Sequence, residues 1–285
     1  MLNLKSALVS LFLFTAIFCN AQDDPREGNA RYFEPVLDAE VVYRGPDVVF
    51  RKISEGTWVG SGHRIASETL YLLEGKSRAL LIDTGADIPG LDKIIRNLTD
   101  KPLTVVLTHT HGDHSGNVGL FGEIWFNPGD SLTRHGMREE YKGKVRYLSD
   151  GQKINLGGRT IEVLFAPGHT RGSTIFLDPS RGCGYSGSAF GSGNLNLWMD
   201  LRTFESTCKK TLSVMKKKKI GILYPGHYFG NNPDTADRIT VMRELASGVL
   251  SGNLTPSPNI GGIPGLDLMV SNKGQRICFP SSTLE

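Results

Sequence analysis

The chain has 285 residues, 39% of them hydrophobic and 21% charged, with a formal net charge of +3. That length supports one large domain with a sizeable core. The apolar content excludes a disordered chain, and the small net charge gives no support to a nucleic-acid or membrane-surface binder.

The first element is a leader. Lys5 precedes an apolar run from Ala7 to Phe18, and Cys19, Asn20 and Ala21 follow it. This is the pattern of a signal peptide over residues 1–21, with the mature chain starting near Gln22. The run is too short for a comfortable membrane span, so no stable membrane anchor is expected. The expected location is secreted or periplasmic, an oxidising compartment. Cys183, Cys208 and Cys278 remain after cleavage. They permit one disulfide and a free thiol, or no disulfide, and are too few for a disulfide scaffold.

Residues 22–50 are polar and mixed, without a clear period, and read as a lead-in that packs on the surface or stays mobile. The main domain is expected over 51–285. Strand-length apolar runs recur there: ETLYLL (68–73), RALLID (78–83), LTVVLT (103–108), EIWF (123–126), VRYL (145–148), TIEVLF (160–165), STIFLD (173–178) and IGILYP (220–225). Most are bounded by Gly, Pro, Asp or Asn. One helix is expected at 89–98. A second is expected where Phe204, Cys208, Leu212 and Met215 form an apolar face, with Lys216–Lys219 at its C-terminal end, where positive charge suits the helix dipole. A third spans 232–250, with Asn232 as its cap and Ile239, Met242, Ala246 and Val249 as its buried face. LDLMV and QRICF pair around Asn272–Gly274. The sum is an α/β domain of two sheets with external helices.

Histidine placement carries the chemistry. In LTVVLTHTHGDH, His109, His111, Asp113 and His114 follow an apolar strand. TIEVLFAPGH and IGILYPGH deliver His169 and His227 in the same way. Functional residues collect at the carboxyl ends of strands, where a rigid sheet fixes the start of each loop. Neutral imidazoles grouped with a carboxylate are the ligand set of zinc-like metals. His109 and His111 alternate to the same side, Asp113 continues that alternation, and His114 projects differently. One loop can therefore serve two neighbouring metals.

These residues, with LLIDTGAD (80–87), APGHTRGS (166–173), YSGSAFG (185–191) and YPGH (224–227), resemble the metallo-β-lactamase superfamily from about Trp58 to about Leu250. The resemblance implies an αββα sandwich of two mixed β-sheets with external helices. It implies one Zn²⁺ held by His109, His111 and His169, and a second held by Asp113, His114 and His227. Asp83 matches an aspartate that supports the loop behind the metals. Ser188 stands where many hydrolases of the family carry an aspartate bridging both metals, as in the third subclass of zinc β-lactamases. A serine hydroxyl is a poor ligand, so the site is expected to be more positive, to favour an anionic substrate and to hold its second metal less firmly.

The expected activity is hydrolysis of a small acyl substrate, a β-lactam-type cyclic amide or an ester, lactone or thioester, by metal-generated hydroxide. Asp113 is the candidate catalytic residue, with Ser188 as a supporting hydrogen-bonding group. His63, Tyr228 and Trp198 are candidates to line the pocket, and His135 reads as structural or solvent-exposed. A mononuclear iron oxidoreductase and a catalytically weak binding protein on the same scaffold are the rival readings. No nucleic-acid partner is expected.

Overall fold

Segments such as Leu70–Leu73 and Ala79–Ile82 have no polar face, so a sheet built from them must be covered on both sides. The computed structural model, which describes residues 35–65, 67–130, 141–260 and 262–284, shows the covering. An eight-stranded sheet runs in chain order: β1 (Glu40–Arg44), β2 (Val48–Ser54), β3 (Thr57–Gly62), β4 (Thr69–Glu74), β5 (Ala79–Ile82), β6 (Leu103–Val106), β7 (Glu123–Phe126) and β8 (Lys144–Tyr147). Its first five strands pair antiparallel and the last four parallel. A six-stranded sheet has β9 (Lys153–Asn155), β10 (Thr160–Phe165), β11 (Thr174–Asp178), β12 (Cys183–Gly187), β14 (Ile222–Pro225) and β15 (Asp234–Thr235), in the order 15-14-12-11-10-9. Only β12 and β14 pair parallel in it. A smaller sheet joins β13 (Asn194–Asn196), β18 (Gln275–Phe279), β17 (Leu268–Asn272) and β16 (Ser257–Pro258). The α-helices are α1 (Leu91–Leu98), α2 (Gly112–Ser115), α3 (Leu201–Lys218) and α4 (Ala236–Leu250).

Strand alternation assigns each residue to a layer. Leu80 and Ile82 pack between the two large sheets, with Tyr71, Leu73 and Val106 on their own side and Ile161, Val163, Phe176 and Tyr185 opposite. Their neighbours Ala79 and Leu81 face outward onto Ile94 and Ile95 of α1. Ile175 and Leu177 face outward in the other direction, onto Phe204 and Met215 of α3 and Met242 of α4. The result is the four-layered αββα sandwich that the sequence motifs imply.

Two expectations need correction, and a third, the C-terminal hairpin, is borne out and extended. The lead-in is partly sheet, because residues 40–44 and 48–50 belong to β1 and β2, and Val48, Val49 and Phe50 are buried. An edge strand exposes most of its residues, so β1 carries a mixed composition that hides its period. Helix α4 is capped by Thr235, whose side chain accepts from the Arg238 N–H. Asn232 instead braces the preceding turn, accepting from Phe229 N and donating to His227 O. The C-terminal hairpin is half of a third sheet, with β13 added in parallel to β18. Cys183, Cys208 and Cys278 are buried free thiols. No helix among the described residues is long and apolar enough to cross a membrane. The segment expected to be a signal peptide, residues 1–21, and His135 lie outside the described residues.

At the edge of the sandwich where β3 and β10 begin, Arg159 clamps the two large sheets. Its guanidinium pairs with buried Asp178 at 2.7 Å. It also donates to Gly56 O at 2.5 Å and to Thr57 Oγ1 at 3.0 Å. Removing one partner of a buried pair strands the other charge. Arg159→Ala should therefore destabilise the fold by about 3–5 kcal/mol in urea unfolding; a loss below about 1 kcal/mol would show that the clamp is dispensable.

Candidate metal centre

Strand direction gathers the site. β5 and β6 run parallel. β10, β12 and β14 share one direction, because β11 is antiparallel to both β10 and β12. Their carboxyl ends open at one edge. Asp83 follows β5, the His109–His114 cluster follows β6, His169 follows β10, Ser188 follows β12 and His227 follows β14. Bonds between the sheets close this edge: Thr174 N to Thr108 O at 2.8 Å, Thr69 N to Gly226 O at 2.7 Å and the Tyr71 hydroxyl to Pro225 O at 2.6 Å. The packing leaves no room for side chains at two glycines. A Cβ on Gly187, which has φ +52°, would collide with the Thr108 side chain, and one on Gly226 would lie 2.5 Å from the His114 ring.

His109, His111 and His169 form one group and Asp113, His114 and His227 a second; within each, the ligand atoms lie within 4.8 Å of one another. In the first, His111 Nδ1 stands 3.1 Å from His109 Nε2 and 2.9 Å from His169 Nε2. The outer nitrogens are occupied. His169 Nδ1 donates to Asn196 O at 2.6 Å, and His109 Nδ1 lies 3.2 Å from Thr108 Oγ1. Both rings therefore turn their Nε2 lone pairs inward, toward His111. Tetrahedral zinc with Zn–N bonds of ~2.0–2.1 Å separates its nitrogens by about 3.3 Å, so the first group fits a divalent metal with little movement.

In the second group, Asp113 Oδ2 is 3.3 Å from His227 Nε2 and 3.5 Å from His114 Nε2. Ser188 Oγ lies 3.3 Å from that same His114 nitrogen. Behind it, His114 Nδ1 donates to Asp83 Oδ2 at 2.7 Å. Asp83 also accepts from Thr108 N and Thr108 Oγ1, each at 2.7 Å. It does so from the left-handed backbone region, at φ +63°, an uncommon conformation that aspartate tolerates better than most residues.

The two groups differ in charge. Burial, reinforced by the neighbouring histidines, holds His109 well below the usual imidazole range and lowers His169 to about 4. Burial also opposes ionisation of Asp113, but the adjacent His114 and His227 outweigh it and keep the carboxyl far below its ordinary value. Burial opposes protonation of His114 too, yet Asp113 and Asp83 lift it to about 9. Without metal, His109 and His169 of the first group are held neutral, and Asp113 with His114 of the second forms a carboxylate–imidazolium pair.

Several contributors have no sequence signal. Glu68 is fully buried, pushed up to about 8 by burial, accepts from Ile65 N at 2.8 Å and forms a backbone bridge with His227. Asn196 acts through its carbonyl, and Asp130 reads as part of an ordinary turn. Of the proposed pocket residues, Tyr228 is buried against Tyr224, and His63 Nδ1 lies 2.6 Å from Pro46 O. Trp198 is exposed and sits between Asn196, which holds His169, and Met199, whose N–H bonds Gly168 O at 3.0 Å.

Titration with Zn²⁺ should resolve two unequal steps. At pH 7 the weaker should release about one proton, from His114, whereas His109 and His169 of the tighter have none to release. Calorimetry in buffers of different ionisation enthalpy measures both counts, and equal affinities with equal proton release would contradict the assignment. Because His114 must be deprotonated to bind metal, the affinity of the weaker site should rise with pH toward about 9. Asp83→Ala should weaken the second site by about 10- to 100-fold, read in the same titration.

Residues 67–227 match the metallo-beta-lactamase superfamily. The acyl-coenzyme A thioesterase MBLAC2 of Bos taurus is 26% identical over 210 residues, covering 59% of this chain and 74% of the relative. The atrochrysone carboxyl ACP thioesterase of Aspergillus fumigatus is 28% identical over 167 residues, covering 55% and 36% respectively. The hydroxyacylglutathione hydrolase of Erwinia tasmaniensis is 32% identical over 148 residues, covering 51% and 54%. A crystal structure of a metallo beta lactamase from Erythrobacter litoralis superposes on 73% of this chain and 99% of its own, with a TM-score of 0.58 at 17% identity, a likeness of fold. The family match spans more than half of the sequence and includes all six grouped donors, and the chain belongs to the metallo-beta-lactamase superfamily as one of its hydrolases.

Proposed function

We propose that the chain is a zinc-dependent thioesterase acting on a small acyl thioester. The observation that carries the reading is the pairing of two three-donor groups at one sandwich edge, the first all imidazole and the second containing a carboxylate. The similarity to the bovine and Aspergillus proteins, both named as thioesterases, and to the Erwinia protein, named as a hydrolase of a hydroxyacylglutathione, favours a thioester over a cyclic amide. Leaving-group chemistry agrees with that choice, since a thiol of pKa near ~8.5 departs as thiolate near neutral pH with little help from an acid.

When bound, divalent metal supplies an acidified water and polarises the carbonyl. The chain's own groups do the rest. His109, His111 and His169 would hold one cation, and Asp113, His114 and His227 the other. Asp113, kept ionised by its two histidine neighbours, accepts the proton of the attacking water and can pass it to the departing sulfur. Ser188 contributes a neutral hydroxyl beside His114. A carboxylate there would lower the local charge, so this chain suits thioesters whose carrier is anionic.

The test is a side-by-side assay of the full chain, loaded with Zn²⁺, on an acyl-coenzyme A, a glutathione thioester, a lactone and a chromogenic β-lactam. Thioester turnover should be fastest. His111→Ala and Asp113→Ala should each lower kcat by about 10³-fold while leaving the circular dichroism spectrum unchanged. Faster cleavage of the β-lactam, or turnover by metal-free Asp113→Ala, would refute the proposal.

A further inference from the structure

Asp130 lies just beyond β7, in a turn whose Asn127 caps Gly129 N at 2.9 Å and Asp130 N at 3.1 Å. Its carboxylate reaches two other loops. Oδ2 accepts from the Thr110 N–H at 3.2 Å and from the Thr170 hydroxyl at 3.0 Å, and Oδ1 accepts from the Gly172 N–H at 2.7 Å. Thr110 stands between His109 and His111, and Thr170 directly follows His169. One side chain thus bonds both loops that deliver the all-imidazole group.

The two loops belong to different sheets, with His109 and His111 arriving from β6 and His169 from β10. Their relative position depends on what spans the gap. One bond, Thr174 N to Thr108 O, lies at the strand ends. Asp130 supplies a second crossing beyond those ends, level with the ligands. Its bonds are charge-assisted, about twice as strong as neutral ones. The chain leaves space for nothing else at this crossing. A Cβ on Gly172 would collide with the Asp130 carboxyl, and one on Gly129 would lie 2.9 Å from Arg171 O. Thr110 and Thr170 are themselves buried, and the Ser173 hydroxyl holds Thr170 at both its N–H and its Oγ1, at 2.9 and 3.0 Å.

We propose that Asp130 is the positioning residue of the His109–His111–His169 metal site: by tying Thr110 to Thr170 and Gly172, it sets the distance between His169 and the other two ligands. The second group has supports of its own: His114 is held by Asp83, and His227 forms a backbone bridge with Glu68. This inference rests on the reading of the three histidines as metal ligands, and the test separates the two.

Two backgrounds of the full chain isolate the sites: His227→Ala leaves the all-imidazole group intact, and His111→Ala leaves the carboxylate group intact. Each is titrated with Co²⁺ and followed by visible absorption, with Asp130 native or changed to Ala or Asn. In the His227→Ala background, Asp130→Ala should weaken Co²⁺ binding about 10- to 100-fold and alter the visible bands, whereas in the His111→Ala background the change should stay below about threefold. Asp130→Asn, which keeps an acceptor oxygen, should fall between native and Ala. Should the Ala variant fail to fold by circular dichroism, the Asn variant decides by the same comparison. Equal weakening in both backgrounds, or a lowered melting temperature with unchanged Co²⁺ binding and spectrum, overturns the positioning role. Absence of Co²⁺ binding by His227→Ala with Asp130 intact overturns the metal site itself, and the proposal with it.

Discussion

The carboxylate of Asp83 is the fixed point of this edge of the molecule. It receives the Thr108 amide, the Thr108 hydroxyl and the His114 ring. Since the Thr108 hydroxyl donates to Asp83, it is left to accept from His109 Nδ1. One buried anion thereby sets the inward-facing nitrogen of a histidine in each group. The arrangement requires a residue at the end of β5 that enters the left-handed region and a β12 loop passing close enough to exclude any side chain at Gly187. Such strain persists only where the surrounding structure over-determines it, and here two buried sheets supply that rigidity.

Clustered imidazoles work against folding unless they are neutral or paired. The protein uses both solutions within a few ångströms. In the first group His109 and His169 are kept neutral by burial, with hydroxyl and backbone partners on their outer nitrogens. The second is balanced internally by Asp113 against His114. Ligands that need no deprotonation and ligands that must release a proton answer differently to pH. The two donor groups are thus chemically distinct even though one loop supplies four of their six donors.

The legible part of the fold was the part with strong pattern. EIWF and TIEVLF coincide with β7 and β10, because compact β-branched and aromatic runs admit few other readings. Strand β12, CGYSG, was legible only as a motif, since two glycines in five residues weaken a strand's signature. The cap of α4 fell on Thr235 rather than Asn232, because the Asn232 side chain is committed to the turn that carries His227. The C-terminal hairpin was visible as a hairpin, but its pairing with β13, and through Asn196 with His169, arises from segments some eighty residues apart.

Local order along the chain was enough to name the candidate donors that the fold then groups: which residues carry nitrogen or carboxylate donor atoms, that they follow strands, and that two lie on alternating positions of one turn. Those facts depend on side-chain chemistry and strand period, both of which are local. Tertiary structure alone decided what stands behind the ligands. Asp83, Asn196, Glu68 and Asp130 act through hydrogen bonds to residues distant in sequence, and a carboxylate in a turn looks the same whether it faces water or spans two sheets. The difference is created when the sheets pack and bring their carboxyl ends to a common edge.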